Sequence, residues 1–300
     1  MSDSWKLTLP CTLEEARAIA LGDEAASGVV LMTSEEDEAS GTWRLDAYFE
    51  GKPSLKAIRA VQALVPGAAA VKASPVLLPD ADWLALSQAG LEPVLAGRFF
   101  VHTSAYRGSV PTGMQGYQIA ASRAFGTGHH ETTSGCLMML DTMRQHGARV
   151  DNLIDLGTGT GLLGFAALHL WPRAYATATD IDPVSIEVTA ENALINAVPT
   201  GQRQGRVALD VADGTQSALI QRRAPYDLII ANILAPPLIR LAADIAAIAA
   251  PGAQLVLAGL LTRQADMVAR AYRRQGFRVA ERLVIGDWTI LRLRLRVRPS

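Results

Sequence analysis

Apolar and polar positions along this chain follow two rhythms, and the change between them falls near residue 75. Before it the segments are short and alternating. Residues 5–9 predict a strand and 12–21 a helix, with Thr12 and Glu15 spaced as a capping box. Residues 29–33 and 43–49 predict two strands around a polar, acidic loop at 34–41. Helical spacing at Leu55, Ile58, Val61 and Leu64 is followed by a strand over 70–78. The order β-α-β-β-α-β is that of a small ferredoxin-like domain over 1–74. It holds no glycine loop and no cluster of polar residues suited to chemistry, so its expected role is recognition.

Pro75 and Pro79 mark the exit, and 82–89 predicts a short linking helix. A strand follows at 99–103. Residues 107–118, spotted with glycine and proline, read as loop, so 75–120 is expected to be a linker. From about 121 to 300 longer apolar runs alternate with helical segments. After a helix at 133–145, strands are predicted at 152–156, up to Asp180, at 206–211, 227–231 and 254–261, with helices between, including 184–196 and 238–249. A last helix spans 262–275. Residues 277–285 and 288–297 then form two strands joined by Gly286-Asp287, a hairpin signature.

The chemistry concentrates in residues 152–182. A short apolar run ends at Asp155 and breaks into Gly157-Thr158-Gly159-Thr160-Gly161; a helix and a second strand lead to Asp180. Strand, glycine turn, helix, strand and acid make a nucleotide-binding unit, in which the acid can accept both hydroxyl protons of a ribose. Gly159, Gly161 and Gly164 also satisfy the dinucleotide fingerprint, which leaves a nicotinamide-dependent oxidoreductase as a rival. Two features favour S-adenosylmethionine. Asp155 would attract a cationic ammonium and repel a pyrophosphate. The closing antiparallel hairpin belongs to the class I methyltransferase fold, a seven-stranded, mostly parallel Rossmann-like sheet.

Composition narrows the field. A 49% apolar fraction supports a sizeable core, and a net charge of −1 gives no overall basic field to recruit nucleic acid or membrane, so no nucleic-acid substrate is expected. Cys11 and Cys136 show neither disulfide nor metal spacing, and no signal peptide or membrane-length apolar helix is present; a cytoplasmic protein is the expectation.

Three further segments carry candidate chemistry. Asn232, ending the strand of DLIIANILAPPL, can accept from an incoming amine while donating to a cofactor, or can cap the next helix. Ile233, Leu234 and Ala235 follow it with no aromatic to stack on a flat base, which favours an aliphatic amine. AFGTGHHETT, residues 124–133, is a second glycine loop before a helix that Thr132 or Thr133 can cap. Its adjacent His129, His130 and Glu131 do not converge on one ion, so no metal is expected. Arg292, Arg294, Arg296 and Arg298 alternate with apolar residues; the plain reading is a two-faced strand, the sharper one a stripe touching RNA or a ribosomal surface.

AFGTGHHETT, the glycine loop with Asp180, and ANILAPPL together resemble the PrmA family of bacterial methyltransferases, which modify ribosomal large-subunit protein eleven. The likeness covers 121–300 most specifically, and the N-terminal architecture also matches. It implies S-adenosylmethionine as cofactor, docking of the substrate protein by the N-terminal domain, and methylation of lysine side chains and the α-amine. Carried over residue by residue, cofactor contacts fall on Thr133, Gly157, Asp180 and Asn232, to which the glycine turn adds Gly159. The chain departs from the family at His129, usually Thr, and Glu131, usually Pro; Thr158 and Thr160 stand where Cys and Ser are commoner. No residue is required as a general base. A related lysine methyltransferase, acting on the electron-transfer flavoprotein β subunit, is the enzymatic alternative; a non-catalytic ribosome-binding module is another.

Overall fold

A computed structural model describes residues 4–21, 29–37, 42–68, 71, 74–78, 93–119 and 130–296; the expected linking helix at 82–89 and the glycine loop at 124–129 lie outside the described residues. The chain divides into two units, 1–87 and 88–300.

In the first unit the elements run β1 (Ser4–Cys11), α1 (Leu13–Leu21), β2 (Val29–Asp37), β3 (Thr42–Glu50), α2 (Leu55–Ala63) and β4 (Val76–Leu78). The capping box forms: the Thr12 N–H donates to Glu15 Oε2 at 2.8 Å, and the Glu15 N–H to Thr12 Oγ1 at 3.2 Å. Ser54 caps α2 by accepting from the Ala57 N–H. The strands pair antiparallel in the order β2-β3-β1-β4, the split arrangement of a ferredoxin-like sheet. Alternate residues Leu7, Leu9, Leu45, Ala47 and Phe49 leave water on one face, against Val61, Val65 and Ala68.

The second unit opens with a three-stranded sheet of β5 (Val94–Ala96), β6 (Phe99–His102) and β7 (Gln115–Gln118). β7 lies in the stretch that reads as loop in the sequence. Four residues with one apolar member, Tyr117, carry too little alternation to register, and the strand is defined by distant partners. The Tyr117 hydroxyl donates to the Phe165 carbonyl at 3.1 Å. Asn196 clasps Gln118 from both sides, its Oδ1 accepting from the Gln118 N–H at 2.7 Å and its Nδ2 donating to the Gln118 carbonyl at 2.8 Å. Arg98 pairs at 2.6 Å with buried Asp141 of α3 (His130–Gln145).

There follow β8 (Asn152–Leu156), α4 (Leu162–Leu170), β9 (Tyr175–Asp180), α5 (Pro183–Ile195), β10 (Val207–Val211), α6 (Ala218–Arg223), β11 (Tyr226–Asn232), α7 (Ala235–Arg240), α8 (Ala242–Ala247), β12 (Ala249–Leu261), α9 (Thr262–Arg274), β13 (Phe277–Ile285) and β14 (Trp288–Leu295). The single helix expected at 238–249 is two short ones that meet at Leu241, started earlier by Pro236 and Pro237; Ala249 already belongs to β12. The sheet order is β10-β9-β8-β11-β12-β14-β13, with the first five strands parallel and β14 antiparallel to both neighbours. This is the class I methyltransferase sheet. Every residue of α4 but His169 is apolar and buried, as in a helix pressed between sheet and other elements. No helix among the described residues is long and apolar enough to cross a membrane.

Replacing Asn196 by Ala leaves the β7 backbone N–H and carbonyl of Gln118 without their clasp. Unfolding in urea should show a loss of about 1–3 kcal/mol. An unchanged midpoint would mean that pairing with β6 and the Tyr117 hydrogen bond are enough to hold β7.

Candidate functional site

Ligands in open parallel sheets bind beyond the carboxyl ends of the strands, where the order reverses on either side of the first strand. Here that point lies between β8 and β11, which pair directly. Asp155, Asp180 and Asn232 all stand at this end.

The glycine turn after β8 begins by leaning on β9. The N–H groups of Gly157 and Thr158 both donate to the Thr179 carbonyl, at 2.8 and 2.9 Å. Gly157 has φ +70°, and a Cβ there would come within 2.5 Å of the Ile233 side chain, so only glycine fits. The Gly159 N–H then donates to Asp180 Oδ2 at 2.9 Å, while the Asp182 N–H donates to Asp180 Oδ1 at 3.1 Å. Both oxygens are thus anchored by backbone, and each keeps lone-pair capacity for a further donor. Asp182 itself caps α5 by accepting from Val184, with Pro183 at the first helical position. Beside Asp180, Ile181 is 66% exposed and Val211, its register neighbour on β10, 46% exposed, an apolar surface next to the carboxylate.

Asp155 is fully buried. Its Oδ2 accepts from the Thr158 hydroxyl at 2.8 Å and from the Gly164 N–H at 3.0 Å. Gly164 is the third residue of α4, so this carboxylate takes up a donor that a helix N-terminus otherwise offers to a bound anion. Burial pushes the Asp155 carboxyl up to about 6, with the Thr158 and Gly164 hydrogen bonds opposing and the Asp180 charge adding.

Across the switch point, Asn232 Nδ2 donates to Thr133 Oγ1 of α3 at 3.4 Å. Among the described residues, Asn232 Oδ1 and Asp155 Oδ1 are buried without a hydrogen-bond partner. Buried polar atoms are nearly always satisfied, and these two acceptors stand at the same end of the sheet, where a bound molecule could donate to them. The five residues expected from sequence therefore fall into two linked groups. Gly157, Gly159 and Asp180 form one; Thr133 and Asn232 form the other, bonded to each other.

A family model described as ribosomal protein L11 methyltransferase (PrmA) matches residues 8–296. The chain belongs to the PrmA family. A ribosomal protein L11 methyltransferase of Caulobacter sp. (strain K31) is 40% identical over 278 residues, covering 92% of each chain. One of Sinorhizobium fredii (strain NBRC 101917 / NGR234) is 37% identical over 295 residues, covering 96% of this chain and 99% of its own. The crystal structure of a ribosomal protein L11 methylase from Lactobacillus delbrueckii subsp. bulgaricus superposes with a TM-score of 0.57 at 22% identity, covering 69% of this chain and all of that one; it shows the common fold.

Three residues that shape this end of the sheet went unread in the sequence. Thr189 and Asn192 of α5, both buried, hold the glycine turn from behind: the Thr189 hydroxyl donates to the Gly159 carbonyl and Asn192 Nδ2 to the Thr160 carbonyl, each at 3.0 Å. Polar residues one turn apart on a helix that follows an acid-capped start were the available signal. Gly259 lies inside β12 with φ +80°, and a Cβ there would meet the Ile233 carbonyl at 2.4 Å. A glycine in a strand interior marks such a close approach; it lets the backbone after Asn232 cross tightly over β12.

The sign of the Asp155 shift fixes a pH dependence. Its carboxyl rises from the ordinary 3.8 to about 6 in the folded protein, so the native state binds this proton more tightly than the unfolded chain does. The stability that protonation confers is full below 3.8 and is lost as pH rises through about 6. Two units correspond to on the order of 3 kcal/mol. Denaturation curves of the parent and Asp155→Asn, taken between pH 4 and 7, should diverge in slope over that window. Parallel curves would place the ionised carboxylate in a compensated environment.

Proposed function

We propose that this protein is an S-adenosylmethionine-dependent N-methyltransferase acting on amines of ribosomal protein L11, at lysine side chains and the α-amine, in the cytoplasm. The observation that carries the cofactor reading is Asp155. It closes the first turn of α4 from within, so the place where a dinucleotide's pyrophosphate would seat already holds a negative charge. Family membership over 8–296, and relatives named for L11 methylation, support the substrate.

The residues fit such a cofactor. Asp180, fixed by Gly159 and Asp182, has acceptors for ribose hydroxyls; Ile181 and Val211 offer an apolar wall for a base; the Asp155 carboxyl supplies negative charge for an ammonium. When bound, S-adenosylmethionine supplies an electrophilic methyl group. The chain's own part is positioning, which can be worth about 7–11 kcal/mol of barrier. The attacking amine must be neutral, whereas a free lysine titrates near ~10.4 and an α-amine near ~7.7–8.0. Desolvation at the sheet edge lowers both. Asn232 suits this requirement: its carbonyl accepts an amine N–H and orients the lone pair, and being uncharged it does not hold the amine protonated as a carboxylate would. The N-terminal domain, expected at 1–74, is proposed to present the substrate protein, since its sheet has a core and no chemistry of its own. Thr133, Gly157, Gly159, Asp180 and Asn232 are proposed as the cofactor contacts.

Incubation with methyl-labelled S-adenosylmethionine and purified L11 should place label in L11. Label in the electron-transfer flavoprotein β subunit and none in L11 would replace this substrate with the alternative.

Two substitutions test the roles. Asp180→Ala removes a charged acceptor, whose hydrogen bonds are worth roughly 1.5–3 kcal/mol. Calorimetry should show affinity for the demethylated cofactor falling about ten- to a hundredfold; unchanged affinity in a folded variant would remove Asp180 from the site.

Asn232→Ala should lower turnover more than it weakens cofactor binding, and Asn232→Asp should move the pH profile of turnover upward, because a carboxylate raises the pKa of the amine beside it. Equal losses in turnover and binding would reduce Asn232 to a cofactor contact.

A further inference from the structure

The net charge of −1 conceals a strong segregation. Residues 263–296 contain nine arginines and no lysine against three carboxylates, Asp266, Glu281 and Asp287; this stretch carries +6 and the rest of the chain −7. It comprises α9, β13 and β14, at the opposite edge of the sheet from the Asp180 strand: β13 is the outermost strand, five places from β9.

Two of the carboxylates are already engaged. Asp266 pairs with Arg282 at 2.5 Å and Glu281 with Arg292 at 3.0 Å. Among the described residues Arg263, Arg270, Arg273, Arg274, Arg278 and Arg294 form no ion pair with a carboxylate, and all six are exposed. Arg270 and Arg273 of α9 and Arg282 of β13 line a recess of about 260 Å³ floored by Ala269 and Val279, with Asp266 at its side. The Asp266 carboxyl is held below its ordinary value, first by the Arg282 hydrogen bond and charge and then by Arg270 and Arg273, so three guanidiniums face one carboxylate. Around the edge, Arg278 sits directly opposite Arg294 in the β13–β14 register. Like charges so placed destabilise a sheet unless something between them is negative.

Arginines on an outer strand can serve simply to prevent edge-to-edge pairing. That accounts for Arg278 and Arg282, and leaves Arg270, Arg273 and Arg274, which are on a helix. We propose that the recess between α9 and β13, continued by Arg278 and Arg294, binds the phosphate backbone of RNA. Guanidinium forks match phosphate oxygens two at a time, and these arginines recur at neighbour spacing along α9 and across β13–β14, as phosphates recur along a strand. An acidic protein surface has no such repeat. The inference rests on the reading of a ribosomal protein as substrate, which places RNA beside the methylated chain; a second contact there raises the effective concentration of enzyme at its substrate.

The test is fluorescence anisotropy of the full-length protein with a labelled RNA hairpin of arbitrary sequence, titrated over a range of salt. Affinity should fall linearly on a log–log plot. Arg270→Glu with Arg273→Glu should weaken binding at least tenfold and flatten the slope by about 2, one for each phosphate no longer neutralised. Methylation of free L11 should be unchanged in the same variant. If charge reversal lowers the melting temperature, Arg270→Gln with Arg273→Gln is scored instead, with the same direction expected. Equal RNA affinity in variant and parent overturns the proposal, as does a polyglutamate peptide bound as tightly and weakened to the same extent, which would assign the recess to an acidic protein. Because RNA binding is read without methyl transfer, a protein that binds RNA but does not label L11 would count against the substrate reading alone.

Discussion

Placing a carboxylate out of water at the end of β8 is costly, and the rest of the site is arranged around meeting that cost. Asp155 is fully buried and finds two donors, the Thr158 hydroxyl and the Gly164 N–H. The second of these ties the strand end to the third residue of α4 and so sets how closely helix and strand approach. The turn between them must then run tightly enough for Gly157 and Thr158 to reach the Thr179 carbonyl, and this brings Gly159 to Asp180. One buried charge thereby orders the turn, the acid at the tip of the next strand, and the sign of the field between them.

That field decides between ligand classes that the glycine spacing alone leaves open. A helix N-terminus with free N–H groups and a positive dipole end attracts phosphates. With Asp155 bonded to Gly164, and Asp180 held a short distance along the turn by Gly159, this end of the sheet presents two carboxylates instead. Molecules with hydroxyl donors and a positive charge are favoured there. On the other side of β8, Asn232 adds a neutral acceptor, its Oδ1 buried without a hydrogen-bond partner.

Elements set by local pattern were legible in the sequence. Thr12 and Glu15 announced α1, and Gly286-Asp287 announced the hairpin that reverses β14, because each acts within four residues of itself. Asp155, Asp180 and Asn232 were legible because apolar strands ending in polar residues stand out. What escaped depends on partners far along the chain. Beyond its pairing with β6, strand β7 is fastened by Asn196, 78 residues away, and by the Phe165 carbonyl, 48 residues from Tyr117. Gly259 matters only because the backbone after Asn232 crosses it. Thr189 and Asn192 look like ordinary helix residues until the turn they support is seen. The arginine excess of 263–296 was visible as a stripe over its last residues, but its concentration on α9 and the outer strand depends on which elements fold side by side.

The central claim is that the helix terminus at Gly164 is closed to phosphates by Asp155 and that the site is built for a cationic, ribose-bearing ligand. Titration calorimetry of the purified protein against S-adenosylmethionine and against NAD under identical conditions addresses it most directly. The account predicts saturable binding of the first and no heat of binding from the second. Tight binding of NAD with none of the methyl donor would contradict it.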